Sequence, residues 1–393
     1  MSIREAERVG GVPASDIGVI YERAIALEKT GRRIVHLEMG RPDFDTPAHI
    51  KAAAEDALRR GLVHYDSSLG LLELRRAIAA KLERDNGLNY SPEDEVMVTV
   101  GVSEGVYLAL SAYLNPGDEV LVPQPTWDNY LRTPALVGGR AVLVSLVGPA
   151  GFGLDVAALE RAITPRTRLL VLISPHNPTG LMVGREELAA LAGLAERHDL
   201  LVLSDEIYEK ITYDGRCHLS IASLPGMRER TIVLNGFSKA YSMTGWRLGY
   251  MAGPRQLLAP IVRVREYLTT CPPTFPQFGA LAALSGSQDC VATMVAEFQR
   301  RRDLVVAGLN AIPGMRCRAP EGAFYVLADV SAYGRPAAGL AFYLLDEAGV
   351  ALVPGTAFGP AGEGYLRLSF TAAHEELAGA IASVGEALSR LRD

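Results

Sequence analysis

Lys239 follows an apolar run, Thr231 to Leu234, that reads as a buried strand, and Arg247 stands eight positions further on. A lysine amine condenses with carbonyl compounds when its surroundings lower its proton affinity. An arginine offers a planar fork of donors that suits a phosphate. Small residues flank both groups: Ser238 and Ala240 beside the lysine, Gly245 and Gly249 about the arginine. Two solvated surface cations would need neither these neighbours nor the strand in front. Aldehyde capture beside phosphate capture points to pyridoxal phosphate.

Two other apolar runs end in polar residues. Arg168 to Ser174 leads to Asn177, and Leu200 to Ser204 leads to Asp205. Unbroken apolar strands separated by helices imply a parallel sheet covered on both faces. Ligands of such sheets bind beyond the carboxyl ends of the strands, so Asn177, Asp205 and Lys239 are expected to share one site. Val96 to Val100 runs into Gly101-Val102-Ser103-Glu104-Gly105 and a helix. Free N–H groups and the helix dipole make such a junction attractive to an anion. Glu104 is a poor neighbour for phosphate and is expected to point away. Glu119 to Pro123 reads as a strand before Trp127.

The remaining pattern supplies the frame. Helices are expected over 16–31, 48–60, 72–84, 289–309, 337–348 and 375–391, with strands over 34–38, 350–354 and 365–370. The predicted class is α/β: a three-layer sandwich with a mostly parallel central sheet, plus a smaller α+β domain. Residues 48–288 are assigned to the large domain, and 1–47 with 289–393 to the small one.

The 393 residues are 49% apolar and carry a net charge of −6. With a pI near 5.8 there is no basic footprint for nucleic acid. The one basic cluster, Arg300-Arg301-Arg302, is expected on the solvated face of a helix. Cys217, Cys271, Cys290 and Cys317 have no metal or redox spacing and read as reduced, buried thiols of a cytoplasmic protein. The seven histidines form no metal pattern, so no metal is expected. The charged start is not a secretory signal, and no apolar run is long enough to span a membrane.

Ser238-Lys239 followed by Gly245-Trp246-Arg247-Leu248-Gly249 resembles the cofactor-attachment motif of the class I/II aminotransferases, the aspartate aminotransferase-like enzymes of fold type I. Other segments fit the same family in order, from Gly40-Arg41-Pro42-Asp43-Phe44 through Ser204-Asp205-Glu206-Ile207-Tyr208 to Tyr365-Leu366-Arg367-Leu368-Ser369. The resemblance implies that Lys239 forms the Schiff base with pyridoxal 5'-phosphate and then shuttles the substrate proton. That role requires an amine well below the usual pKa of about 10.4. It places Asp205 at the ring nitrogen, where an opposite charge keeps the ring protonated. Tyr208 and Asn177 are implied at the phenolic oxygen, Trp127 against the ring, and Val102, Ser103, Ser238 and Arg247 at the phosphate. Arg367, with Gly40 and Asn177, would receive the substrate α-carboxylate. Tyr65 would reach the phosphate of a neighbouring subunit, which implies a homodimer; Asp66-Ser67 replaces the usual Thr-Pro after it. His176 is expected to border the cofactor loop without a catalytic role.

The implied activity moves an amino group between an L-amino acid and a 2-oxo acid by a ping-pong scheme, with glutamate and 2-oxoglutarate for one half. A lyase or cyclising enzyme on the same cofactor (β-elimination, γ-replacement) is the alternative chemistry. A regulatory effector domain behind a DNA-binding module fits poorly, since fewer than 40 residues precede Gly40 and none forms a basic recognition helix. Arg41 and Arg132 stand near the site in sequence and are expected to be solvated. They are the candidates for the second cation that a dicarboxylate substrate would need, and an aromatic or aliphatic substrate would need an apolar wall instead.

Overall fold

The computed structural model describes residues 4–146 and 152–391. In chain order the strands are β1 (Val35–His36), β2 (Val96–Thr99), β3 (Glu119–Gln124), β4 (Arg140–Ser145), β5 (Thr167–Ile173) and β6 (Leu201–Asp205). They continue with β7 (Thr231–Gly236), β8 (Gly249–Ala252), β9 (Tyr325–Asp329), β10 (Val350–Ala351), β11 (Val353–Pro354) and β12 (Tyr365–Ser369).

Seven of them form one sheet in the order β2-β8-β7-β6-β5-β3-β4. Strand β8 runs antiparallel to both neighbours, and the other pairings are parallel. Alternate residues of a strand face opposite sides, and here both sides are apolar. Leu169, Val171 and Ile173 pack with Val106, Leu110 and Leu258 on one face. Leu170 and Leu172 pack with Leu188 and Leu191 on the other. The strands are therefore continuous apolar runs because helices cover them twice, which is the three-layer architecture.

Elsewhere β11, β12 and β9 form an antiparallel sheet, and β1 pairs in parallel with β10. An apolar cluster built on Phe298, Phe324, Leu344 and Phe370 joins these strands to the helices Asp16–Glu28, Asp289–Ala311, Ala337–Ala348 and His374–Ser389. Ile207, Tyr208, Ile211 and Tyr213 enter the same cluster from the segment after β6.

Three expectations are corrected. The single strand over 350–354 is two strands in different sheets, because β10 pairs with β1 and β11 pairs with β12. Of the basic cluster only Arg300 is solvated. Arg301 is buried against Asp43 at 2.8 Å and Glu297 at 2.9 Å, and Arg302 is buried against Asp214 at 2.6 Å. Carboxylates from distant segments and the rings of Phe44, Phe298 and Tyr213 beneath the guanidinium groups make that burial tolerable. The four cysteines are free, but Cys217 is exposed and the other three are half-buried. Among the described residues no helix is long and apolar enough to cross a membrane.

Candidate active site

Strand register creates the site. Ile173 pairs with Asp205, and Asp205 with Leu234, so the carboxyl ends of β5, β6 and β7 lie side by side. The segments leaving those ends deliver Asn177, Asp205 with Tyr208, and Ser238 with Lys239 to one cavity of about 230 Å³. The helix Gly101–Tyr113 starts at its rim, placing Val102 and Ser103 in the first turn, where backbone N–H groups lack helical partners. Trp127 precedes the helix Asp128–Leu136 and lines the same space, as do Gly40, Arg247 and Arg367. Glu104 turns away, accepting from the Val100 N–H at 2.6 Å and facing Arg265.

Asp205 lies at the floor. Its Oδ2 accepts from the Tyr130 hydroxyl at 2.8 Å and its Oδ1 from the Ile207 N–H at 3.2 Å. Burial nevertheless pushes its carboxyl up to about 6, because two donors do not replace the lost water. Lys239 has the opposite problem. Burial, then repulsion by Arg367 and Arg247, brings its amine down to about 8. The amine donates to the Gly40 carbonyl at 2.7 Å. A group that is half neutral near pH 8 can both attack a carbonyl and exchange a proton.

Arg367 is fully buried on β12. Its Nη1 donates to Asn177 Oδ1 at 3.3 Å and its Nη2 to the Glu38 carbonyl. Its guanidinium carbon lies 4.5 Å from the Tyr325 ring centre and 4.8 Å from that of Phe358. Its Nε is buried without a partner. At the other end Arg247 adopts φ +55° and faces the helix start, where a Cβ on Gly101 would meet its Nη2 at 2.6 Å.

Twelve residues were expected here, and eleven line the cavity. Tyr65 does not; it is 87% exposed on this chain. His176 is buried, paired with Thr179 at 2.8 Å, and lines a smaller neighbouring cavity. Desolvation brings its ring down to about 3, so it stays neutral. Arg132 pairs with Asp128 at 3.1 Å, and Arg41 is exposed in an outer groove.

Ile17, Glu38 and Tyr325 are among the wall residues that were not assigned to the site from the sequence, and Tyr130, behind Asp205, was also missed. Tyr130 sits three residues after Trp127, a spacing that puts both on one helical face. Ile17 and Tyr325 come from segments outside the motifs read above, while Glu38 stands two positions before Gly40 on a segment already placed in the site.

The far side of the Asp205–Tyr208 turn is also charged. Glu206 accepts from Ser204 at 2.9 Å and Ser220 at 2.6 Å, and meets the His218 ring at 2.9 Å. Glu209 holds the Lys81 ammonium and the Asn86 amide, the latter at 2.8 Å. Glu206, Glu209 and His218 bring possible ligand atoms within 4.8 Å of one another. Lys81 already supplies a positive charge there.

The sequence matches the family model for aminotransferase class I and II over residues 32–384. The aromatic-amino-acid aminotransferase 2 of Thermococcus litoralis is 42% identical over 374 residues, 95% of each chain. The aspartate aminotransferase of Rhizobium meliloti is 42% identical over 398 residues, 98% of this chain and 96% of that one. A crystal structure of the aspartate aminotransferase from Rhizobium meliloti superposes with a TM-score of 0.95 at 40% identity, covering 99% of this chain and 100% of the other. With the lysine, the facing carboxylate and the two terminal guanidinium groups set in one cavity, the chain belongs to the class I and II aminotransferases, pyridoxal-phosphate-dependent enzymes that transfer amino groups.

Proposed function

We propose that this chain holds pyridoxal 5'-phosphate on Lys239 and exchanges an amino group between an L-amino acid and a 2-oxo acid at that one site. The observation that carries the reading is the pairing, within one cavity, of an amine brought down to about 8 with a buried carboxylate raised to about 6. The cavity suits the cofactor in two further respects. The Gly101 backbone and the Arg247 guanidinium form a close cradle that a side chain at residue 101 would fill. The buried, unpartnered Nε of Arg367 awaits an acceptor such as a carboxylate.

When bound, the cofactor supplies an electron sink for the bond broken at the substrate α-carbon. Asp205 keeps a proton at the ring nitrogen, since a cationic partner favours its ionised form. Tyr208 and Asn177 donate to the phenolic oxygen. The N–H groups of Val102 and Ser103, with the Ser238 hydroxyl and Arg247, hold the phosphate. Trp127 covers the ring face. Arg367 and Asn177, beside Gly40, hold the α-carboxylate so that the Lys239 amine faces the α-hydrogen and moves that proton.

We also propose a donor with an apolar or aromatic side chain. The cations lining the cavity among the described residues are Lys239, Arg247 and Arg367, all engaged above. Ile17, Met39 and Trp127 offer apolar wall instead. Phenylalanine or leucine is expected to give at least tenfold higher kcat/KM than aspartate, since among the described residues this chain's wall supplies apolar contacts and no further cation for a second carboxylate; the reverse order would reject this preference. The exposure of Tyr65 supports a homodimer in which it crosses to the neighbouring phosphate. The shared apolar cluster of the terminal segments supports the division into 48–288 and 1–47 with 289–393. Free thiols support a cytoplasmic location.

The decisive test is spectroscopic. Protein reconstituted with pyridoxal phosphate is expected to show a visible absorption band that amino acids bleach. Borohydride is expected to fix the label on the peptide containing Lys239. A preparation that stays colourless, or a label on another lysine, would refute the assignment.

A further inference from the structure

Tyr325 touches three of the residues assigned above, although it stands in none of the motifs that carry the family resemblance. It starts β9 opposite Ser369, while Arg367 lies opposite Leu327. In an antiparallel pair these positions are diagonal neighbours on one face. The Tyr325 ring consequently lies beneath Arg367, with the guanidinium carbon 4.5 Å from its centre. Its hydroxyl is 2.8 Å from the Tyr208 hydroxyl. It also occupies the space that a side chain at residue 40 would need, and a Cβ there would lie 2.9 Å from Tyr325 Cζ. Gly40 in turn accepts from the Lys239 amine. Tyr325 is fully buried, and Tyr208 is the partner that its single polar group meets there.

We propose that Tyr325 is a positioning residue that links the carboxylate-binding and cofactor-binding ends of the site. The proposal rests on the cofactor assignment made above. A phenol has one proton to give. For Tyr208 to donate to the cofactor's phenolic oxygen, it must accept from Tyr325. The donated bond polarises Tyr208 and strengthens its own donation, as in any chain of hydrogen bonds. The ring of Tyr325 meanwhile fixes the plane of Arg367 by cation–π contact. Gly40 is required at its position because the Tyr325 hydroxyl stands there, a reason independent of any approach by substrate.

The test uses the reconstituted holoenzyme and Tyr325→Phe. The variant is expected to keep the cofactor's visible band. Its pH midpoint should rise, with roughly a two- to threefold gain in proton affinity, because weaker donation leaves the phenolic oxygen more basic. A Tyr208→Phe background should make Tyr325→Phe silent in the midpoint, while Tyr325→Leu, which also removes the ring beneath Arg367, should raise KM for the amino donor severalfold. An unchanged midpoint in Tyr325→Phe or an unchanged KM in Tyr325→Leu would overturn the proposal, as would an equal midpoint shift in both backgrounds. A wild-type protein without the band would instead overturn the cofactor assignment. If Y325F does not accumulate as folded protein, Gly40→Ala probes the same contact by displacing the hydroxyl. The same upward midpoint shift is then expected, and its absence overturns the proposal.

Discussion

The turn after β6 presents two charged faces that differ in kind. Asp205 and Tyr208 point into the cavity, while Glu206 and Glu209 point into the protein behind it. Behind the turn each carboxylate faces a basic partner, the His218 ring for Glu206 and the Lys81 ammonium for Glu209. In the cavity Asp205 and Lys239 are held away from their ordinary protonation instead, one up to about 6 and one down to about 8. The rear face uses its charge to hold the turn. The front face keeps its charge uncompensated until a ligand arrives, which costs stability and creates reactivity.

Substitutions can break this contrast. The largest effect is expected for Lys239→Met, which should lower turnover by roughly 10⁴-fold or more by removing the amine proposed to transfer the substrate proton. The same change should stabilise the cofactor-free protein. An amine whose folded pKa lies below its unfolded value disfavours folding, fully below about pH 8, and the penalty fades towards pH 10.5. Thermal melts at pH 7 should show a gain of about 1–3 kcal/mol. Lys81→Met tests the rear face and should do the reverse. Leaving Glu209 buried without its cation is expected to cost about 3–5 kcal/mol in urea titrations.

Arg367→Lys should leave stability nearly unchanged but lose the planar fork. A fall of about 10²-fold in kcat/KM is expected in steady-state assays, with KM affected most. The smallest effect concerns pH. Against the desolvation that opposes it, Glu206 and Glu209 raise the proton affinity of His218 above its usual 6.5. Its contribution to stability is therefore complete below pH 6.5 and is lost as pH rises through the raised value. His218→Gln should flatten that decline by about 1 kcal/mol between pH 6.5 and 9, measured by denaturant midpoints. A variant with the wild-type slope would show that the rear face is not held by this charge.

Most of the cavity was legible because its residues come directly after strands that are buried on both sides. Such strands are long apolar runs, and the residues just beyond them are displayed at one edge of the sheet. Lys239, Asp205 and Asn177 could be grouped on that ground alone. Arg301 and Arg302 were misplaced because their partners, Asp43 and Asp214, lie 258 and 88 positions away. A run of three arginines looks solvated unless tertiary pairing is known. Residues 350–354 looked like one strand because the apolar pattern does not record a change of partner at Leu352. Tyr325 was invisible for a similar reason. Its significance comes from a diagonal relation across β9 and β12, and single-strand periodicity carries no trace of it.

The contact between Ser369 and the carbonyl of Leu37 spans 332 positions. A polypeptide still emerging from the ribosome with residue 300 just added holds every strand of the seven-stranded sheet, and so the lysine and the aspartate. It lacks β9 and β12, hence Tyr325 and the guanidinium of Arg367. Long-range closures of this sort come late in folding. During synthesis, therefore, this chain's residues proposed to hold the coenzyme are all present before the guanidinium proposed to hold the substrate carboxylate.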